Sequence, residues 1–253
     1  MKLKVIQVNI YKGKYLVNLI NFLNSQSPDI IFMQEVTSGE VNLNGDHSNL
    51  FEVLKKELGY EGVFYASATI LDKPDTFQGN AVLTRHTIEK SEVIHLNRQS
   101  PMTLEVFGNS DFFPDFPRSI VEALIDINGT RMYGLSCHGA WTAPPKDNDE
   151  NFRQAKLIAN HLKQLDLPFV LGGDMNMPPE TRVIRTIEKS AKNLMKNSKI
   201  VQTTHPTVHK IAPRGYLVDY IFTSGEFKKI SITAPEILVS DHLPLVCELE
   251  LES

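Results

Sequence analysis

Residues 168–179 read PFVLGGDMNMPP, and this stretch decides how the rest of the chain is read. Phe169, Val170 and Leu171 form a short apolar run, the pattern of a buried strand. Gly172 and Gly173 end the run and let the backbone come close to whatever lies there. Asp174 and Asn176 follow, two apart, which puts both on one face if the backbone stays extended. A carboxylate and an amide on one face can polarise a water and hold a phosphoryl oxygen. An Asx turn closing the strand is the alternative reading. Pro178 and Pro179 turn the chain out towards the next helix.

Working outward towards the N-terminus, residues 151–165 have helical periodicity, with Ala155, Ile158, Ala159 and Leu162 on one face. Residues 119–127 (SIVEALIDI) and 131–137 alternate as strands, and Asn128-Gly129 between them is a hairpin signal. Residues 3–10 alternate as a first strand, and 15–23 carry Leu16, Leu19, Ile20 and Leu23 on one helical face. IIFMQEV (30–36) reads as a buried strand, 37–49 as a loop, and 50–58 as a helix ended by Gly59. Strands are expected over 62–68 and 79–84, around a polar loop holding Pro74 and Asp75, with a short strand over 93–96. Residues 108–117, GNSDFFPDFP, read as an aromatic, proline-rich loop. On the C-terminal side, 181–195 reads as mostly helical, and 217–223, 228–233 and 246–251 as strands. Strands outnumber helices and many join through hairpins. That pattern argues for an α+β chain with mixed, mainly antiparallel sheets. With no linker, repeat or low-complexity segment, residues 1–253 are expected to form one domain.

The chain has 253 residues, 42% hydrophobic and 22% charged, and a formal net charge of −4. No strong basic field draws it to nucleic acid or anionic lipid, which counts against a tight, sequence-independent DNA binder. The only cysteines, Cys137 and Cys247, lie in apolar runs, so no disulfide framework exists. There is no export signal or membrane span, no obligate protein partner is evident, and a reducing cytoplasm is the expected location.

Polar residues stand at the ends of six apolar runs: Asn9, Glu35, His138, Asp174 with Asn176, Asp219, and Asp241 with His242. A charged Glu closing an apolar strand needs a cation or hydrogen-bond donors. If these ends converge, the carboxylates repel one another unless a cation joins them. Oxygen-rich ligands with few His and no Cys suit Mg²⁺ or Mn²⁺, and no zinc motif is present. His138 and His242 stand beside the carboxylates and suit hydrogen bonding to phosphate or proton exchange. His47, His86, His95, His161, His205 and His209 read as surface or turn residues. Phe107, Phe112, Phe113, Phe116 and Trp141 either rim the site or pack beneath loops.

FMQEV, GGDMNMPP, LVDYIF and SDHLPL occur here in the order and rough spacing of the endonuclease/exonuclease/phosphatase superfamily, which the chain resembles from Asn9 to Leu249. GNAVLTR, FPRSIVEALIDI and THPT look further like its bacterial metal-dependent hydrolases. The resemblance implies a four-layer α/β/β/α sandwich, two packed mixed sheets flanked by helices. It implies a Mg²⁺- or Mn²⁺-dependent phosphoester hydrolase, a phosphodiesterase in the first reading. A DNA or RNA nuclease is the alternative, and a phosphoester-binding module without turnover is the second. It implies Glu35 as main metal ligand, with Asn9 and Asp241, and Asp174 as the group that orients or deprotonates water. Asn176 would hold a phosphate oxygen, and His242, oriented by Asp219, would hydrogen-bond the phosphate. His138 would face the phosphate and protonate the leaving oxygen, while Arg118 and Asn80 would contact substrate. His138 stands where the abasic-site nucleases of the superfamily use a Tyr, which disfavours that activity.

Overall fold

The computed structural model describes residues 1–210 and 215–252. One six-stranded sheet contains, in spatial order, β11 (Phe227–Thr233), β12 (Leu245–Leu251), β1 (Lys2–Asn9), β2 (Ile30–Ser38), β4 (Lys73–Thr84) and β3 (Glu61–Ile70). The other contains β5 (Thr87–His95), β6 (Ser119–Ile127), β7 (Thr130–His138), β8 (Phe169–Asp174), β10 (Asp219–Thr223) and β9 (Lys192–Asn193). Each sheet has one parallel pair, β1–β2 and β7–β8, and its other neighbours are antiparallel. Parallel neighbours need a crossover, and α1 (Leu16–Gln26) and α4 (Asp149–Leu162) supply the two. Both members of each parallel pair therefore finish at the same end of their sheet. The antiparallel neighbours β12, β10 and β6 begin at that end.

Side-chain alternation explains why the first four residues of β2, Ile30 to Met33, are all apolar. Ile30 and Phe32 lie in the core between the sheets, whereas Ile31 and Met33 pack under α1 and α2 (Leu50–Leu58). Both faces are covered, so no polar face is needed. On the far side, α4 and α5 (Arg182–Ile187) add Ala155, Ile158, Leu162, Val183, Ile184 and Ile187 to the core. The four layers of an α/β/β/α sandwich result. Gly172 on β8 is the point of closest approach: a Cβ there would stand 2.4 Å from Phe32 Cδ2. Its absence lets the Phe32 ring settle against the β8 backbone. α2 starts on Asn49, whose side chain accepts from the Phe51 and Glu52 N–H groups, and stops at left-handed Gly59.

Several elements differ from the sequence expectation. The loop expected around Pro74 and Asp75 is strand, because β3 and β4 join at Leu71-Asp72. Pro74 is tolerated there because the ladder is interrupted between Thr69 and Ile70. β2 runs on to Ser38, two residues into the expected loop. β5 starts at Thr87, well before 93, and its polar stretch is an exposed edge. Within 108–117, residues Ser110–Asp115 form a 3-10 turn, preceded by the short helix α3 (Leu104–Gly108). The helix expected over 181–195 stops at Ile187, since Lys192–Asn193 pairs with β10 instead. Tertiary pairing overrides helix propensity there. Cys137 and Cys247 are buried and free, as expected. Among the described residues no helix is long and apolar enough to cross a membrane.

Candidate active site

Towards the shared end, the inward faces of the central strands change from apolar to polar. Along β1 the inward residues are Val5, Gln7 and Asn9; along β2, Ile30, Phe32 and Gln34. β7 contributes Ser136 and His138, and β8 follows Gly172 with Asp174. The middle level is a buried polar seam. Gln34 Nε2 donates to Gln7 Oε1 and to Ser136 Oγ, both at 3.0 Å. Ser136 Oγ donates to the Met33 carbonyl (2.9 Å), and Gln7 Nε2 donates to Asp219 Oδ1 (3.3 Å) and to Gln34 Oε1.

Asp174 is the centre of the outer level. Its Oδ2 accepts from Asn9 Nδ2 at 3.1 Å and lies 3.7 Å from His138 Nε2 and 3.8 Å from His242 Nε2. Its Oδ1 accepts from the Asn176 N–H at 2.9 Å. The strand stops at Asp174 and Asn176 has φ 54°, so the Asx turn forms here. The two residues are linked through that turn and not through a shared strand face. Asn176 Nδ2 donates to the Gly139 carbonyl at 3.1 Å, fastening the segment after β7 to the segment after β8. Burial pushes the Asp174 carboxyl up to about 7, with Asp219 adding to the rise and His242 opposing it.

His242 Nδ1 lies 2.8 Å from Asp219 Oδ2. Burial opposes a charge on His242, but Asp219 and Asp174 together hold its pKa well above the ordinary value. His138 is the opposite case: burial, then Arg118 and His242, keep it well below, so it is neutral. Ser240 Oγ donates to the Asn9 carbonyl (2.6 Å) and accepts the His242 N–H (3.1 Å), which ties this segment to the end of β1.

Glu35 sits at a β-bulge between Met33 and Val36 with φ 53°, a strained conformation for a non-glycine residue. The bulge turns its carboxylate out of the strand's alternation. Its charge acts on Asp241, Arg118 and Tyr11, which places it among them. Burial raises Asp241 to about 6, and Glu35 adds to that rise against the pull of His242. The Arg118 guanidinium is buried, and its Nε has no hydrogen-bond partner among the described residues. Burial pushes Arg118 down to about 10, while Asp174 and Glu35 oppose. Asn80 stands at the edge of this set, its Nδ2 donating to the Ser119 carbonyl at 2.8 Å. The site residues expected from the sequence thus come together, with Asn80 engaged as a tie between the sheets.

The Endonuclease/Exonuclease/phosphatase family matches residues 6–242. The chain belongs to this family. A comparison with curated proteins gave no match. Among solved structures, an endonuclease/exonuclease/phosphatase from Bacteroides vulgatus is 20% identical with TM-score 0.78, over 100% of both chains. A mannosyl-6-phosphatase from Bacteroides thetaiotaomicron VPI-5482 is 15% identical with TM-score 0.74, over 98% of this chain and 100% of its own. D. rerio TDP2 complexed with a single-stranded DNA product is 15% identical with TM-score 0.72, over 98% and 99%. These likenesses establish the fold. Membership of the endonuclease/exonuclease/phosphatase family makes the chain a hydrolase of phosphoester bonds.

The donor set fits a cation. Buried and part-buried carboxylates crowd one rim, and two of them, Asp174 and Asp241, are pushed towards protonation. Among the described residues, two groups of His and Asp lie close enough to hold an ion: Asp174, Asp219 and His242, and His209, Asp241 and His242.

His209, read as a surface or turn residue, does lie in a turn, and the second group adds that this turn sets it beside His242. Its ring stands edge-on to His242, centroids 5.5 Å apart, and burial followed by His242 lowers its pKa to about 4. His209 lies ten residues before Asp219 in an irregular segment, so no periodicity marked it. His205 is buried, and His161 pairs with Glu122 at 2.6 Å. His86 pairs with Asp29 at 3.1 Å, and His95 packs on Tyr65 at 5.3 Å. Isolated histidines carry no sequence mark of such partners. The five aromatics also divide. Phe107 and Phe116 are buried in a cluster with Met102 and Ile70, Phe113 packs against it and meets Trp141 edge-on at 5.5 Å, and Phe112 is exposed.

Proposed function

We propose that residues 1–253 act as one catalytic domain, a divalent-metal-dependent phosphodiesterase in which water attacks phosphorus in line. The observation that carries this reading is Asp174, buried, with Asn9, His138 and His242 from four different segments around one carboxylate oxygen. A carboxyl poised at about 7 suits a base that takes a proton from water near neutral pH. The Asn9 amide and the Asn176 N–H fix its two oxygens, so its lone pairs keep one direction. The imidazolium of His242, held by Asp219, presents Nε2–H to a phosphoryl oxygen. His138, being neutral, hydrogen-bonds the phosphoryl group from the opposite side. The unpartnered Arg118 guanidinium is the cation that meets substrate charge.

Glu35, Asn9 and Asp241 would hold Mg²⁺ or Mn²⁺, a set of oxygen donors matched to a hard ion. Bound there, the ion would supply Lewis-acid stabilisation of charge on the phosphoryl oxygens. A cytoplasmic location accords with two buried, unpaired thiols. A nucleic-acid substrate is the second reading, supported by the DNA-bound structure among the fold relatives. The net charge of −4 weighs against it.

The test is Mg²⁺-dependent hydrolysis of bis(p-nitrophenyl) phosphate by wild type, Glu35→Ala and Asp174→Ala. Each variant should lose on the order of 10²–10⁴-fold in rate while keeping its circular dichroism spectrum. Retained activity in both would reject these roles. Stabilisation by Mg²⁺ with no turnover on a broad phosphoester panel would mark a binding module.

A further inference from the structure

We infer that His209, Asp241 and His242 form a site for a borderline divalent transition ion, with Zn²⁺ as the type, and that filling it turns the hydrolase off. One ligand atom from each residue lies within 4.8 Å of the other two. An ion bonded to each at about 2.0–2.2 Å needs those atoms to close by roughly 1 Å. His209 and Asp241 are both partly exposed.

The donors are held together by backbone and not by a chance contact. The His205 N–H donates to the Asp241 carbonyl (2.7 Å), the Leu243 N–H to the Thr203 carbonyl (2.6 Å), and Thr204 bridges to His242. The His209 N–H donates to the His205 carbonyl at 3.2 Å, which closes the turn that returns His209 to His242.

Asp219 on His242 Nδ1 supplies the arrangement usual for a metal-binding histidine, one ring nitrogen on a carboxylate and the other facing the ion. Asp219 is itself fixed, its N–H donating to Thr203 Oγ1 at 3.0 Å and its Oδ1 accepting from Gln7. Two imidazoles and one carboxylate favour Zn²⁺ or Co²⁺ over Mg²⁺, whereas the Glu35 side of the cleft offers oxygen alone. Asp241 belongs to both sides. An ion at the histidine site would take Asp241 away from the Glu35 side and His242 away from the phosphoryl group. The binding half of this inference stands on geometry; the inhibition half rests on the role proposed above for His242.

The test uses the full chain stripped of metal and titrated with Co²⁺, followed by Zn²⁺ competition. Wild type should take up Co²⁺ with the visible bands of a low-coordinate ion, and Zn²⁺ should displace it. His209→Ala should weaken both ions at least tenfold, and His209→Cys should restore Zn²⁺ binding and add a thiolate-to-Co²⁺ charge-transfer band. In Mg²⁺ assays, with each protein's rate referred to its own Zn²⁺-free rate, His209→Ala should need at least tenfold more Zn²⁺ than wild type for half inhibition. Absence of Co²⁺ uptake by wild type would overturn the inference. So would equal uptake by His209→Ala, which would assign the ion to Asp174, Asp219 and His242. A wild type without hydrolysis would sink the proposed function, while the Co²⁺ titration would still decide this site.

Discussion

Asp174→Asn should make the metal-free protein more stable at pH 8 and less stable at pH 4. The carboxyl is raised on folding from an ordinary 3.8 to about 7. A group raised in this way contributes stability that is fully present below pH 3.8 and lost as pH rises through about 7. Each tenfold change in proton affinity is about 1.4 kcal/mol, so three of them set an upper bound on the order of 4 kcal/mol. The charge on His242, which opposes the rise, absorbs part of the effect. The asparagine keeps an oxygen for the Asn176 N–H but turns an amide N–H₂ towards Asn9 Nδ2, a mismatch costing about 1 kcal/mol. A net gain of roughly 1–3 kcal/mol at pH 8 remains, or about 3–10 °C in Tm for a chain of this size. At pH 4 the mismatch alone survives, as a loss of about 1 kcal/mol. The assay is thermal unfolding in EDTA across pH 4–8, repeated with saturating Mg²⁺, which should narrow the gap by neutralising the wild-type rim. A variant less stable than wild type at both ends of the range would refute the claim that this carboxylate is held ionised against its surroundings.

Glu35→Gln should remove the Mg²⁺-induced rise in Tm seen with wild type, and differential scanning calorimetry with and without the ion would show it. Gly79→Ala places a Cβ 1.8 Å from the Tyr65 carbonyl oxygen. It should cost about 3 kcal/mol or more in urea unfolding, because backbone and not a side-chain tip must move. Trp141, the only tryptophan, should change its emission on saturation with an aryl phosphodiester. Unchanged emission would place the substrate away from the loop after β7.

The α+β class and the helices under the first sheet were legible because their signals are local: alternation in β1, the 3.6-residue stripe of Leu16, Leu19, Ile20 and Leu23, the stop at Gly59. Most of the site was legible as well, since polar residues closing apolar strands are conspicuous. Convergence itself was not local. It follows from two parallel pairs, each of which carries both strand ends to one rim. Gln7 was hidden for a related reason: an amide within an alternating strand reads as the solvent side until a second sheet is known to cover it. β5 was shortened in the reading because an exposed edge lacks apolar alternation. Lys192–Asn193 lies among Ala191, Leu194 and Met195, residues that favour helix wherever no partner strand overrides them.

The glutamine seam has a bearing on how this sandwich can drift over evolution. Greasy faces slide over one another at little cost, since burial is non-directional, whereas a chain of amides and a hydroxyl has one register only. Gln34 bonded to Gln7 and Ser136, with Gln7 on Asp219, pins the sheets like a hinge pin at the catalytic end. Slippage, twist and accumulated insertions are then directed to the opposite end. Proteins built this way can remodel their far loops and outer helices extensively while the reacting groups keep their spacing.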